Sequence, residues 1–202
     1  MKPALLSLGT LALLAQQPGA VIVTPPGILP AGSLMDAKDH LPLLLGATTG
    51  KAILTHRAVF RDNLAKEKLS ADLKARWKAV RQPLTLVAVF GSWCADSHYQ
   101  LPDLLTLHAE PNPFIEVHYL GVNRDKVADP TIWPKDCPPQ KVARVPTFYL
   151  FALQPGGGLK LVGSVVENPP RAGQTMAEAL VELVEHPFVP LIPYSRWAGC
   201  DR

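Results

Sequence analysis

An unbroken apolar run, Leu84–Phe90, constrains the fold of this chain more than any other segment. Its residues are rich in leucine and valine and carry no charge, which is typical of a buried β-strand. Gly91 and Ser92 follow the run, and residues 94–109 can form a helix that contains Pro102. A buried strand followed directly by a helix predicts the first half of a strand–helix–strand unit, in which two parallel strands are joined by a right-handed crossover.

The segments that follow complete an α/β pattern. Residues 114–122 alternate like a second strand, and residues 146–153 form a third strand after a proline-rich loop. A glycine-rich turn then leads into a fourth strand at 159–166 and a final amphipathic helix at 175–185. The order βαβ and then ββα predicts a mixed four-stranded sheet flanked by helices.

The segments outside this body differ from it in composition. Residues 1–20 contain one lysine and then an eleven-residue apolar stretch, which is typical of a secretory signal peptide. Residues 21–82 combine an irregular arm, rich in proline and glycine, with one or two charged helices over 56–80. The main domain is therefore placed at 83–186, followed by an irregular tail at 187–202. Export to the periplasm or secretion is the expected location, with a cytoplasmic protein as the alternative.

Composition and charge exclude several classes of function. The 202 residues are 48% hydrophobic, which suits one compact domain with extra segments at its ends. The net charge of +3 is spread over interleaved acidic and basic residues, so no nucleic-acid partner is expected. The chain has no apolar run of 18 residues after its N-terminus, so no stable membrane span is expected once a leader is removed. Six dispersed histidines show no metal-ligand spacing, and no metal site is predicted.

Three cysteines are too few for a disulfide scaffold, and their odd number leaves at least one thiol free or in an intermolecular bond. In an exported protein Cys137 could pair with Cys200. Cys94 differs from both because it lies at the first turn of a predicted helix, where backbone N–H groups and the helix dipole favour negative charge. That position favours the thiolate, which is the form that attacks disulfides.

Two short motifs, Trp93-Cys94-Ala95-Asp96-Ser97 and Val145-Pro146-Thr147-Phe148, lie in matching elements of the predicted fold. In this order they resemble the thioredoxin superfamily, over roughly residues 84–185. The resemblance implies a thioredoxin-like fold, a cis bond before Pro146, and a Trp93 side chain that covers the thiol. It also implies a substrate groove at Val145, Pro146 and Thr147, beside which Arg144 could favour acidic substrates.

Ser97 departs from the usual pattern of this superfamily, which has a second cysteine at that position. A serine hydroxyl can donate a hydrogen bond to the Cys94 thiolate, but it cannot expel a covalently bound substrate. Three routes for resolving a mixed disulfide therefore stay open: an external thiol such as glutathione, a thiol of the substrate, or Cys137.

The expected function is accordingly that of a monothiol protein. The resemblance implies thiol–disulfide exchange, by reduction or isomerisation, on protein or glutathione mixed disulfides, with no cofactor other than glutathione as a co-substrate. Two alternatives stay open: a binding module that keeps the groove but does little turnover, and a redox sensor whose thiol is oxidised or capped. The residues leave the natural substrate and the oligomeric state open.

Overall fold

The structure is a computed structural model that describes residues 34–155 and 157–187. The predicted signal peptide, Cys200 and all but the first residue of the predicted tail lie outside the described residues. The described elements follow one another as β1 Gly46–Thr48, α1 Gly50–His56, α2 Ala58–Leu64, α3 Ala71–Ala79, β2 Leu84–Phe90, α4 Ala95–His108, β3 Ile115–Gly121, a 3-10 turn Pro130–Ile132, β4 Thr147–Leu153, β5 Leu159–Val166 and α5 Met176–Glu185.

One mixed sheet organises the described chain, with strand order β1-β3-β2-β4-β5. The pair β2 and β3 is parallel, with Leu84 opposite Ile115 and Phe90 opposite Gly121, and the other neighbouring pairs are antiparallel. The four predicted strands and the two helices that accompany them are found within one residue of their expected bounds. The periodicity of the sequence therefore located the centre of the sheet.

The predicted number of strands is wrong, because the sheet has five strands and not four. Part of the arm expected to be irregular forms β1, which pairs antiparallel with the free edge of β3. Gly46 enters this strand with a φ of +81°, a backbone conformation that glycine adopts readily. Opposite it, a Cβ on Gly121 would lie 2.0 Å from the carbonyl oxygen of Leu44, so only glycine allows the arm to approach this closely.

Three short helices precede β2, and the second and third fill the charged region 56–80, where one or two helices were expected. The first begins before the expected range, with Thr49 as its N-cap accepting from the backbone N–H of Ala52. The third begins at Ser70, whose hydroxyl accepts from the N–H of Leu73 at 3.1 Å, as its position in the sequence suggested.

The two faces of the sheet carry separate apolar cores. In β2, Leu86, Ala88 and Phe90 face the helices, whereas Val87 and Val89 face the opposite side, as the alternation of a strand requires. That opposite side is covered by the long loop between β3 and β4, whose buried members include Trp133, Cys137 and Val142. Among the described residues, no helix has the length and apolar character needed to cross a membrane.

Candidate functional site

Cys94 lies at the N-cap of α4, just after the turn that follows β2. Its backbone N–H donates to the carbonyl of Gly91, and its half-buried side chain makes no capping hydrogen bond. The thiol donates instead to the carbonyl oxygen of Val145, which lies 3.2 Å from Sγ. The fold thus brings together two residues that are 51 positions apart in the chain and belong to the two sequence motifs.

The segment that faces Cys94 is fixed by backbone contacts. The bond between Val145 and Pro146 is cis, as the resemblance led us to expect. The hydroxyl of Thr147 donates to the carbonyl of Arg144 at 2.7 Å, and the carbonyl of Pro146 accepts from the N–H of Glu167 at 2.7 Å. Val145, Pro146 and Thr147 are buried as whole residues, so in this arrangement the segment offers a partner little surface.

Ser97 is fully buried, with 0% of its surface exposed. Its hydroxyl oxygen accepts from the backbone N–H of Gly91 at 3.2 Å, which ties the first turn of α4 to the end of β2. Within the described part of the chain, no hydrogen bond joins Ser97 to Cys94. In this structure the role of Ser97 is therefore to hold the turn that carries the thiol.

Trp93 is held at both its edge and its face. Its indole N–H donates to the carbonyl of Val122 at 3.0 Å, and the guanidinium of Arg124 lies 4.6 Å from the centre of its ring. Arg124 is fixed in turn by Asp36, a residue of the arm, through two hydrogen bonds of 2.7 and 2.9 Å. Trp93 therefore has one orientation imposed on it beside the thiol.

Sequence reasoning missed Arg124 and Asp36. The carboxyl ends of the parallel strands β2 and β3 lie at the same edge of the sheet, so residues shortly after β3 are expected near Cys94, and this signal could have found Arg124. Asp36 is 88 positions from Arg124 and lies in an irregular arm, so no local pattern indicates the pair.

The titratable groups around Cys94 differ in charge and in exposure. Asp36 is only 2% exposed, and its hydrogen bonds with Arg124 hold the pKa of that carboxyl well below its usual range. Burial lowers the pKa of His98, whose Nε2–H donates to the carbonyl of Ser92 at 2.8 Å. His98 is therefore neutral at pH 7 and half-buried. Asp96 is exposed in the first turn of α4.

Cys137, a candidate for resolving a mixed disulfide, lies in the core beneath the long loop and is only 5% exposed. Burial raises the pKa of its thiol to about 11, and the charges of Glu116 and Asp136 add to this. Little thiolate is therefore present there at neutral pH, and attack by Cys137 would be slow. Neither Cys94 nor Cys137 takes part in a disulfide among the described residues, and the predicted pairing with Cys200 lies outside them.

Arg144, which was expected to favour acidic substrates, forms an ion pair with Glu167 at 2.7 Å and is half exposed. Its charge is thus shared with a carboxylate of this chain. Over the described ranges, 34–155 and 157–187, no group of three or more histidine, cysteine or acidic side chains is placed to hold a metal ion.

Comparison with known proteins assigns no family. No protein-family model matches the chain, and no curated protein does. Two solved structures are similar over most of the chain. One is an HIV epitope-scaffold, 19% identical, which covers 70% of this chain and 88% of its own, with a TM-score of 0.44. The other is a protein of unknown function from Pseudomonas aeruginosa, 17% identical, with coverages of 71% and 87% and a TM-score of 0.44. At these TM-scores neither likeness carries an argument about function.

Proposed function

We propose that this chain is a thioredoxin-like monothiol protein that performs thiol–disulfide exchange through Cys94. The observation that carries the proposal is the 3.2 Å contact between Cys94 Sγ and the carbonyl of Val145, next to a cis peptide bond. A cysteine at the N-cap position of a helix offers a nucleophile, and the segment beside it is the proposed place for an extended substrate chain to pair. The element order β2-α4-β3 and then β4-β5-α5 is the further support for a thioredoxin-like fold.

The proposed reaction has two exchange steps. The Cys94 thiolate attacks one sulfur of a substrate disulfide, so that a new bond forms from Cys94 to that sulfur as the old S–S bond breaks. The released sulfur leaves as a thiolate and takes a proton from solvent. A second thiolate then attacks the mixed disulfide, forms a disulfide with the substrate sulfur and releases Cys94 as a thiolate. Cys94 returns to its starting oxidation state, so the enzyme itself needs no other oxidant or reductant.

The second thiol is proposed to come from outside this chain. Ser97 has no sulfur and is bound to Gly91, and Cys137 is buried with a raised pKa. Glutathione would make the reaction a net reduction of the substrate. A thiol of the same substrate would make it an isomerisation. Export, which we propose from residues 1–20, would give the protein oxidised secreted proteins as substrates.

The test measures the free peptide thiol and the oxidised glutathione formed from a glutathionylated peptide, with reduced glutathione as the second thiol. Wild-type protein should accelerate their formation, Cys94→Ser should reduce the rate to the uncatalysed value, and Cys137→Ser should keep it. A Cys94→Ser variant as active as the wild type would refute the proposal.

One observation favours a second candidate, a binding module with little turnover. The position that usually holds the second cysteine is Ser97, whose hydroxyl serves the turn and not the thiol. A binding module should retain an extended peptide after Cys94→Ser, with the affinity measured by calorimetry. An exchange enzyme should lose covalent capture of the same peptide in that variant.

A further inference from the structure

Arg124 is fixed by contacts with two residues, Asp36 and Trp93. Its Nε and one terminal nitrogen donate to both carboxylate oxygens of Asp36, which is buried and also accepts from the backbone N–H groups of Lys38 and Asp39. The planar guanidinium lies over the ring of Trp93. A planar fork bound at two points loses little further freedom, so its charge is fixed relative to the residue that precedes the thiol.

The position of this charge matters because other neighbours of the thiol disfavour the thiolate. The carbonyl of Val145 can only accept a hydrogen bond, so it stabilises the protonated sulfur. Asp96 adds a negative charge in the same turn of the helix, and His98 is neutral. The guanidinium of Arg124, by contrast, lies close enough to Cys94 to interact with it electrostatically.

Three ion pairs lie around the site. They are Asp36 with Arg124, Asp39 with Arg57, and Arg144 with Glu167. Asp36 reduces the field of Arg124, and we infer that a net favourable potential remains at the sulfur.

We propose that Arg124 is a positioning residue that favours the thiolate of Cys94, with Asp36 of the arm holding it against Trp93. Its use in exchange rests on the proposed function, whereas its effect on the sulfur does not. Arg124 touches neither substrate nor the reacting bond in this account, since it acts through the charge on Cys94 and through the orientation of Trp93.

The test uses full-length protein in a Cys137→Ser, Cys200→Ser background, so that Cys94 is the reacting thiol. The rate of alkylation by iodoacetamide is measured from pH 5 to 9, with unfolding curves recorded for each variant. Access to the sulfur scales the rates at both pH values equally, so the ratio of the rates at pH 6 and pH 9 reports the change in thiolate fraction. Arg124→Met should lower this ratio on the order of three- to tenfold. Arg124→Lys, which keeps the charge but not the fork, should restore part of it.

Arg76→Met is the matched control, because Arg76 binds Glu185 through two hydrogen bonds of 3.0 and 2.7 Å between α3 and α5. It should leave the ratio unchanged while lowering stability by a similar amount. An Arg124→Met ratio equal to that of the wild type overturns the inference, even if the exchange assay succeeds. If Arg124→Met does not fold, Arg124→Gln decides, because it removes the charge and keeps N–H donors for Asp36; a ratio equal to that of the wild type in folded Arg124→Gln would overturn the inference. If Arg124→Met lowers the ratio but the wild-type protein fails in the exchange assay, only the proposed function is overturned, and the inference about Arg124 stands.

Discussion

Asp103 should make the stability of this protein fall as the pH rises from about 4 to about 7. It lies in α4, only 5% exposed, and its carboxylate accepts from the backbone N–H of Ala177 at the start of α5, at 2.7 Å. Burial raises the pKa of this carboxyl to about 7 from an ordinary value of 3.8, and the half-buried carboxyl of Glu67 beside it adds to the effect.

The sign follows from proton binding by the two states. Between the unfolded pKa of 3.8 and the folded pKa of about 7, the folded chain keeps a proton on Asp103 that the unfolded chain has released. Stability therefore decreases with rising pH across this window. Each pKa unit of difference corresponds to ~1.4 kcal/mol, so the free energy of unfolding should fall by at most about 4 kcal/mol over the window.

Asp103→Asn tests this directly, because the amide oxygen can still accept from Ala177 while the group no longer titrates. Urea unfolding followed by tryptophan fluorescence, from pH 4.5 to 7.5, gives the free energy of unfolding for both proteins. Their difference cancels the titration of the partly buried histidines. The variant should match the wild type near pH 4.5 and become the more stable protein towards pH 7.5. If the free energies of unfolding of the two proteins differ by the same amount at every pH, the raised pKa of Asp103 is refuted.

Two further substitutions test the turn and the edge of the site. Gly121→Ala forces a Cβ against the carbonyl of Leu44. It should therefore lower the free energy of unfolding by ~1–3 kcal/mol and speed hydrogen exchange of the β1 amide protons. Unchanged protection of these amides would contradict the placement of the arm. Ser97→Cys places a thiol one helical turn after Cys94, so under mild oxidation the protein should form an internal disulfide, seen as loss of free thiol by titration. In this variant the first turnover should release the substrate without added glutathione and leave Cys94 in an internal disulfide, and later turnovers should require a reductant. A free-thiol count that oxidation leaves unchanged would show that position 97 cannot serve as a resolving site.

The sequence predicted those parts of the fold that depend on local pattern. The apolar run of β2, the alternation in β3 and the amphipathic α5 each carry their period within ten residues or so, and each was found where it was expected. The strand β1 has only three residues and follows a glycine- and proline-rich arm, so its pairing depends on the free edge of β3, which no local pattern describes. The number of strands was wrong for that reason.

The candidate site divides in the same way. Cys94 and its helix position could be predicted because a cysteine directly after a buried strand is a local signal. The resemblance implied a cis bond before Pro146 and a groove at Val145, but the contact between Cys94 and Val145 depends on the order of strands and is seen only in the folded chain. The pair of Asp36 with Arg124 joins two irregular segments 88 positions apart, so only the folded chain reveals it. The burial of Cys137, which argues against it as a resolving thiol, likewise depends on how the long loop folds over the sheet.

Cys94 is proposed to form a mixed disulfide that an external thiol resolves. The most direct test of this proposal is to mix the protein with a glutathionylated peptide, quench with acid at successive times, and measure the intact mass. We expect a transient adduct on Cys94 in the wild type and in Cys137→Ser. Reduced glutathione should then remove this adduct. An adduct that never forms on folded protein, or one that forms equally in Cys94→Ser, would contradict the proposal.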